Sequence, residues 1–345
     1  QVKLQRLWKV GVGDGIAQDV VKFRIASQNN VYYAASRDGV IMAVSDQGKV
    51  LWQQKTKLPL TGGVSAGYGM VLVATAKGEV LALNARDGAA LWRKTLLAPV
   101  LAPAALTADT AIIQSNDGKV YGLNAKTGDK IWVYDTPVPV LSLRGYAAPL
   151  IVDDLVLVAT ATGKLVALEA KTGIGRWESR IATTDGRSEL ARIIDVDGDM
   201  LLSADQQLYV ASYQGQLSAL DLADKPVLRW QLPSSSFQAL ADNADTIYLV
   251  DADSNIVAVS KDSGKTVWKQ KAFAWRGLSN PVVVGACLVV GDSEGYLHVM
   301  ALNDGKLLGR TSVSGGVLSL GADASTIQVY STKGQFSVWR LPALH

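Results

Sequence analysis

Short runs of alternating apolar and polar residues follow one another along the chain, and each run ends at a turn. The stretches KGEVLALNARDGAALW (77–92), DGKVYGLNAKTGDKIW (117–132) and TGKLVALEAKTGIGRW (162–177) share a turn, a strand, a second turn and a strand that ends in tryptophan. A further apolar run, such as MVLVATA (70–76), precedes each of them. Alternation with a period of two predicts β-strands, and no stretch shows sustained helical periodicity.

This repeat recurs along the whole sequence. Its first turn residue returns after 39, 40, 45, 52, 39, 41 and 39 residues, at Gly39, Gly78, Gly118, Gly163, Gly215, Ser254, Gly295 and Gly334. Eight units of about four strands each predict an all-β protein, an eight-bladed β-propeller with four-stranded antiparallel blades. We therefore expect a single domain over residues 1–345, with the recurrent tryptophans packed between blades.

The two ends of the chain predict how the propeller closes. The eighth unit (325–345) stops after its third strand, whereas LQRLWKV (4–10) has the pattern of a fourth strand, with Trp8 in the tryptophan position. In the seventh unit, Gly309 occupies that position. The N-terminal strand is therefore predicted to complete the C-terminal blade, which closes the ring and pairs its last edge.

The two longest intervals owe their length to connections between units. The first connection holds VLSLRG (140–145) within the apolar stretch PVPVLSLRGYAAP (137–149), and the second holds TTDGRSELARIIDVDGD (183–199). Both flank the same blade, so we expect them to be neighbours in space. When one loop of a repeated scaffold is longer than the equivalent loops of the other repeats, it usually carries functional residues.

The composition of these connections suggests a protein interface. Leu141 and Leu143 beside Arg144 are an apolar pair next to a cation, which is typical of interface hot spots. An alternative is that both leucines pack under their loop while Arg144 pairs with Asp195 or Asp197 inside the molecule. The sequence leaves both interpretations open.

Charge and rare residues narrow the possible functions. A formal net charge of +3, from 34 basic and 31 acidic residues, offers no basic stripe for nucleic acid. Cys287 is the single cysteine, so no disulfide can form within the chain, and we interpret it as a buried thiol. Two histidines, His298 and His345, leave little material for a catalytic triad or a His/Cys metal site. No apolar run approaches the roughly 18 residues of a membrane span.

Two acidic stretches begin like a calcium-binding loop, with acidic or amide groups at alternate positions. DVDGDMLLSADQ (195–206) and DADSNIVAVSKD (251–262) lack glycine at the sixth position and glutamate at the twelfth. We interpret their Asp and Asn residues as turn formers. His298, which alternates with apolar neighbours, is interpreted as a strand residue. We expect no metal and no catalytic residue.

The repeat core LNAKTGDKIW (123–132) resembles the pyrroloquinoline-quinone (PQQ) repeat, which quinoprotein dehydrogenases share with non-enzymatic propellers. The dehydrogenases are generally much longer and carry adjacent cysteines joined in a disulfide over the cofactor, whereas Cys287 stands alone. Because this chain lacks the adjacent cysteines, its resemblance is to the non-enzymatic propellers, which implies a protein without enzymatic activity or cofactor. A PQQ-dependent oxidoreductase and a propeller that binds a small ligand in its channel are the alternatives.

The chain as a whole resembles the BamB family, through LSLRG (141–145), DVD (195–197) and GDSEGYLH (291–298). This resemblance implies a scaffold subunit at the periplasmic face of the outer membrane, within the machine (the BAM complex) that folds and inserts outer-membrane β-barrel proteins. In that family the first two motifs dock on the POTRA domains of BamA. GDSEGYLH lies in a blade hairpin, and we assign it a structural role.

Carried onto this sequence, the docking surface consists of Leu141, Leu143, Arg144, Asp195 and Asp197. The two aspartates would either position Arg144 or pair with a basic residue of the partner. Family members begin with a lipidated cysteine, so a chain that begins at Gln1 is expected to lack its membrane anchor. Addition of an extended client to the edge of a blade is a further possible task, although no residue singles it out.

Overall fold

A computed structural model of the chain describes residues 2–16, 23–138, 147–181, 196–213, 215–222 and 225–342. These residues form 32 β-strands and no α-helix. The strands pair into eight four-stranded sheets, the blades, in which sequence neighbours are antiparallel. The predicted all-β class and the eight-bladed β-propeller are confirmed.

Contacts along the chain group the blades into two compact units. Strand β1 (Gln5–Gly11) opens the chain and belongs to the last blade. The first unit contains blade 1, with β2 (Ala26–Gln28), β3 (Val31–Ala35), β4 (Val40–Ser45) and β5 (Val50–Lys55); blade 2, with β6 (Leu60–Gly67), β7 (Met70–Thr75), β8 (Glu79–Asn84) and β9 (Ala90–Thr95); blade 3, with β10 (Ala105–Leu106), β11 (Thr110–Gln114), β12 (Lys119–Asn124) and β13 (Lys130–Asp135); and blade 4, with β14 (Leu150–Val152), β15 (Leu155–Ala159), β16 (Lys164–Glu169) and β17 (Gly175–Arg180).

The second unit has the same construction. It contains blade 5, with β18 (Leu201–Leu202), β19 (Gln207–Ala211), β20 (Gly215–Asp221) and β21 (Val227–Ser234); blade 6, with β22 (Ala241–Asp242), β23 (Thr246–Val250), β24 (Ile256–Ser260) and β25 (Thr266–Gln270); blade 7, with β26 (Val282–Val284), β27 (Cys287–Gly291), β28 (Tyr296–Ala301) and β29 (Leu307–Ser312); and blade 8, with β30 (Val317–Ala322), β31 (Thr326–Ser331), β32 (Gln335–Arg340) and β1.

The N-terminal strand completes the eighth blade, as predicted. β1 pairs antiparallel with β32, from Gln5 opposite Arg340 to Gly11 opposite Gln335. The pairing gives β32 a neighbour on both sides. The prediction of one domain over residues 1–345 stays a prediction.

Burial along a blade explains its sequence pattern. The second strand β7 is buried at every position, which requires an unbroken apolar run. In the fourth strand β9 only Trp92 is buried, so its other positions are polar or exposed. Side chains of blades 2 and 3, including Leu72, Trp92 and Tyr121, form one apolar cluster. The core therefore lies between consecutive blades.

The recurrent tryptophan joins one blade to the next, as predicted. Trp92 Nε1 donates a hydrogen bond to the carbonyl oxygen of Ala125 in the following blade (2.8 Å), and Trp230 Nε1 does the same to Lys261 (2.7 Å). Each ring covers a turn glycine, and a Cβ there would lie within 2.7 Å of an indole carbon. Such pairs are Trp52 with Gly88, Trp92 with Gly128, Trp132 with Gly173, Trp230 with Gly264, and Trp268 with Gly305.

Blade 7 lacks this tryptophan because main chain occupies the corresponding position. Val2 N donates a hydrogen bond to the Leu308 carbonyl oxygen (2.9 Å), and Leu4 N donates to Thr311 Oγ1 (3.2 Å). A Cβ atom on Gly309 would overlap the carbonyl oxygen of Val2. The approach of the N-terminal segment to β29 thus explains why glycine replaces tryptophan in the seventh unit.

We expect Gly309→Ala to lower the free energy of unfolding by about 1–3 kcal/mol, because the new methyl group must displace the Val2 main chain. Chemical denaturation gives the value. Gly175→Ala in β17 is the matched control, since a Cβ there meets its nearest atom at 3.8 Å. Equal stability of the two variants would show that the N-terminal segment does not constrain blade 7.

Candidate functional site

The two long connections leave their blades in the same way. Thr136 N, after β13, donates a hydrogen bond to the carbonyl oxygen of Gly118 (2.8 Å), and Ile181 N, after β17, donates to Gly163 (2.9 Å). Both glycines have positive φ values, +81° and +72°. The predicted turn glycines therefore also fix the point from which each connection starts.

The two connections also meet where they end. Ala147 N donates a hydrogen bond to the carbonyl oxygen of Val196 (2.9 Å). Ala147 is fully buried, and Val196 is 2% exposed. The expectation that the two connections are spatial neighbours is confirmed at these described ends.

The predicted site residues are described only in part. Leu141, Leu143, Arg144 and Asp195 lie outside the described residues. Asp197 is described and is 6% exposed, which leaves little of its surface for a partner. Of the two roles considered for Asp197, burial favours positioning within the molecule. The assignment of these five residues to partner binding stays a prediction.

Similar hydrogen bonds join other consecutive connections. Thr61 Oγ1 donates to the Val100 carbonyl oxygen (3.1 Å), and Gln238 Nε2 donates to Leu278 (3.0 Å). Asn280 Nδ2 donates to Leu320 (2.9 Å). Each bond links residues at the first strand of one blade to their counterparts in the next. The Ala147–Val196 bond belongs to this series, so the long connections end on a framework that the repeat itself builds.

Exposed apolar side chains also lie near the first long connection, and the length of the connections did not point to them. Val138 is 38% exposed and packs beside Gly118. Leu97, in the preceding connection of the same unit, is 90% exposed. Its connection has the usual length, so only its apolar sequence, LLAPVLAP (96–103), could have drawn attention to it.

The GDSEGYLH motif places a buried carboxylate, Asp292, beside a buried histidine, His298. Asp292, fully buried, accepts hydrogen bonds from Arg276 Nε (2.9 Å) and His298 Nε2 (2.8 Å) at its Oδ2 atom. Arg276 also pairs with Glu294 (2.6 Å). The ring of Phe273 lies 4.4 Å from that of His298. These contacts agree with the structural role assigned to the motif and confirm His298 as a buried strand residue.

The protonation states of this cluster follow from burial and hydrogen bonding. Burial lowers the pKa of His298, and this outweighs the opposing effect of Asp292. Burial alone would raise the pKa of Asp292, but hydrogen bonds from His298, the Tyr296 main chain and Arg276 together lower it. The ring is therefore neutral near pH 7, with Nε2 as the donor. His298 Nδ1 has no hydrogen-bond partner among the described residues, so a second ring proton would be poorly accommodated.

In the described parts of the chain, no group of three His, Cys, Asp or Glu side chains is placed to hold a metal ion. Asp251 instead accepts hydrogen bonds from the main chain of Asp253 and Asn255 and pairs with Lys269, as a turn former does. Cys287 is buried, which raises the pKa of its thiol. The described residues also include no helix long and apolar enough to cross a membrane.

Fold and repeat together define the class of protein: an eight-bladed β-propeller built from PQQ-like repeats. A solved quinohemoprotein alcohol dehydrogenase from Comamonas testosteroni aligns with a TM-score of 0.76 over 99% of this chain and 78% of that chain. Its 12% sequence identity shows a shared fold alone.

The family follows from closer relatives. The family model described as "Outer membrane protein assembly factor BamB" matches residues 37–270. The protein of that name from Pseudomonas aeruginosa is 48% identical over 91% of this chain and 82% of its own length, and that from Escherichia coli is 36% identical over 89% and 80%. The crystal structure of BamB from Moraxella catarrhalis aligns with a TM-score of 0.90 and 30% identity over 98% of this chain and all of that chain. The chain belongs to the BamB family of outer membrane protein assembly factors, which are not enzymes.

We expect the protein to lose stability as the pH falls below about 6.5, the pKa of an unperturbed histidine. The unfolded chain takes up the His298 proton first, because burial lowers the pKa of this residue in the folded state. The loss proceeds until the pH reaches the lowered folded pKa. Urea unfolding at pH 8 and pH 5.5 measures it.

His298→Gln is the control, because its side-chain amide can still donate to Asp292 but does not titrate. The variant should show a smaller change in unfolding free energy between the two pH values. An identical change in both proteins would assign the pH dependence to other groups.

Proposed function

We propose that this assembly factor is a non-catalytic scaffold of the BAM complex that docks on the POTRA domains of BamA. The docking surface would consist of Leu141, Leu143 and Arg144 on the first long connection, with Asp195 and Asp197 on the second. The protein would act at the periplasmic face of the outer membrane, held there in its full-length form by an N-terminal lipid. It would assist the folding and insertion of outer-membrane proteins.

The observation that supports this proposal is the hydrogen bond between Ala147 and Val196. It joins the ends of the two connections at buried, hydrogen-bonded main chain. Because the ends of the connections are adjacent, groups carried by both connections could meet one partner together.

The proposed contacts divide into apolar and charged contributions. Leu141 and Leu143 would each contribute about 1.5–3 kcal/mol if an apolar groove of the partner buried them fully. Arg144 would form charge-assisted hydrogen bonds with acidic or carbonyl groups. Asp197, which is buried next to Val196, would position other groups of the docking surface.

We expect Arg144→Ala to abolish co-purification with BamA from envelope extract while leaving the thermal unfolding midpoint within about 2 °C of wild type, since the proposal assigns Arg144 to the partner and not to the core. Affinity purification followed by quantification of BamA measures the effect.

Arg86→Ala is the matched control. Arg86 is an exposed arginine in the turn between β8 and β9, at the opposite strand ends from the long connections. It should retain BamA. Retention of BamA by Arg144→Ala would refute the assignment of the docking surface.

A further inference from the structure

The interface between blades 7 and 8 is built differently from the blade pairs that an indole ring joins. In those pairs, the tryptophan of a fourth strand covers the turn between the third and fourth strands of the next blade. The third and fourth strands of blade 8, β32 and β1, come from distant parts of the chain, so no turn of this kind connects them. A tryptophan on β29 would have no turn to cover, and Gly309 leaves that space open for another occupant.

Residues 2–4 of the chain are that occupant. Leu4 is 3% exposed and belongs to the apolar cluster between blades 7 and 8, against which Val2 also packs. Lys3, between them, is exposed. Two inward side chains separated by an outward one are the pattern of an extended peptide segment.

The segment is held mainly through its backbone. Val2 N donates a hydrogen bond to the Leu308 carbonyl oxygen (2.9 Å), and Leu4 N donates to Thr311 Oγ1 (3.2 Å). We name the space bounded by Leu308, Gly309 and Thr311 the blade 7–8 slot. Because both donors are main-chain N–H groups, any extended segment can form these bonds, and only the buried leucine position selects a sequence.

The segment in the slot is separate from the strand that follows it. The pairing of β1 with β32 begins at Gln5, opposite Arg340. Departure of residues 2–4 would break two hydrogen bonds and uncover part of the apolar cluster, but it would leave every pair of that ladder in place. Folded proteins open locally in this way at segments with few bonds to the rest of the structure.

We propose that the blade 7–8 slot is a peptide-binding site for an extended segment with an aliphatic residue two positions before a leucine. Residues 2–4 fill it as a built-in ligand, and a segment of the same pattern from another chain can take their place. The inference is independent of the proposed docking surface, because it involves none of the residues of that surface.

The first test supplies the segment as a separate peptide. Leu4→Asn in the full chain should release residues 2–4, because a buried amide without partners is unfavourable in an apolar cluster. The probe is acetyl-Val-Lys-Leu-Gln-amide, and the control is the same peptide with asparagine in place of leucine. In a two-dimensional NMR titration of the variant, the probe should shift the signals of Leu308 and Thr311 saturably and bind at least about tenfold more tightly than the control.

The wild-type protein, whose slot is filled, should show no such shifts at the same peptide concentrations. No saturable shift in the variant, equal affinity for both peptides, or equal binding by wild type and variant would each overturn the proposal.

The second test fills the slot from β29. Gly309→Trp places an indole ring in the space of the Val2 main chain and should expel residues 2–4 while the blades stay folded. Trypsin should then cut after Lys3 at least about tenfold faster than in wild type, because cleavage follows the population of the released segment. Mass spectrometry of the intact chain measures the rate. Combined with Leu4→Asn, Gly309→Trp should also abolish binding of the probe.

Cleavage at the other lysines and arginines is the internal control. Their rates should stay at the wild-type value in Gly309→Trp and in Leu4→Asn, whereas both variants should be cut faster after Lys3. A wild-type rate after Lys3 in both variants would overturn the proposal. Faster cleavage throughout the chain in both would overturn it as well, since residues 2–4 would then hold the blades together and not occupy a separable site.

Discussion

The packing of an indole ring on the glycine turn of the next blade is the interaction on which this structure depends. The ring covers a position where any side chain would collide with it, and its N–H group satisfies a main-chain carbonyl of the neighbouring blade. The apolar clusters likewise draw on side chains from consecutive blades. A blade alone would leave its apolar faces in water, so each blade is stable only beside its neighbours.

This arrangement also determines how loops can acquire a function. A connection between blades begins at a turn glycine and ends at main chain that is hydrogen-bonded to the next connection. Extra residues can be added between these two points without disturbing either of them. The long connections around blade 4 are such additions, and both end at buried main chain, at Ala147 and Val196. A surface formed in this way can change while the core remains unchanged.

Most of the fold could be predicted because it follows from local patterns that recur. The period of about 40 residues gave eight blades, and the tryptophan pattern of residues 4–10 gave the pairing of β1 with β32. The turn residues were predicted almost throughout, except that Gly215 is itself the first residue of β20. Other features depend on how space is filled between blades. The burial of Asp197 and the exposure of Leu97 could not be predicted, because alternation indicates the face of a strand and not whether a neighbour covers it.

The pairing of β1 with β32 joins strands that lie far apart in the sequence. Gln5 lies opposite Arg340 in this pairing, and the hydrogen bond from Leu4 to Thr311 joins residues 307 positions apart. Blades 1 to 7 each consist of four strands that follow one another along the chain, whereas blade 8 combines β1 with β30, β31 and β32. Such distant pairing slows folding and leaves an edge open to aggregation in the meantime. Blade 8, unlike the other seven, is therefore complete only when the most distant strands of the described chain have met.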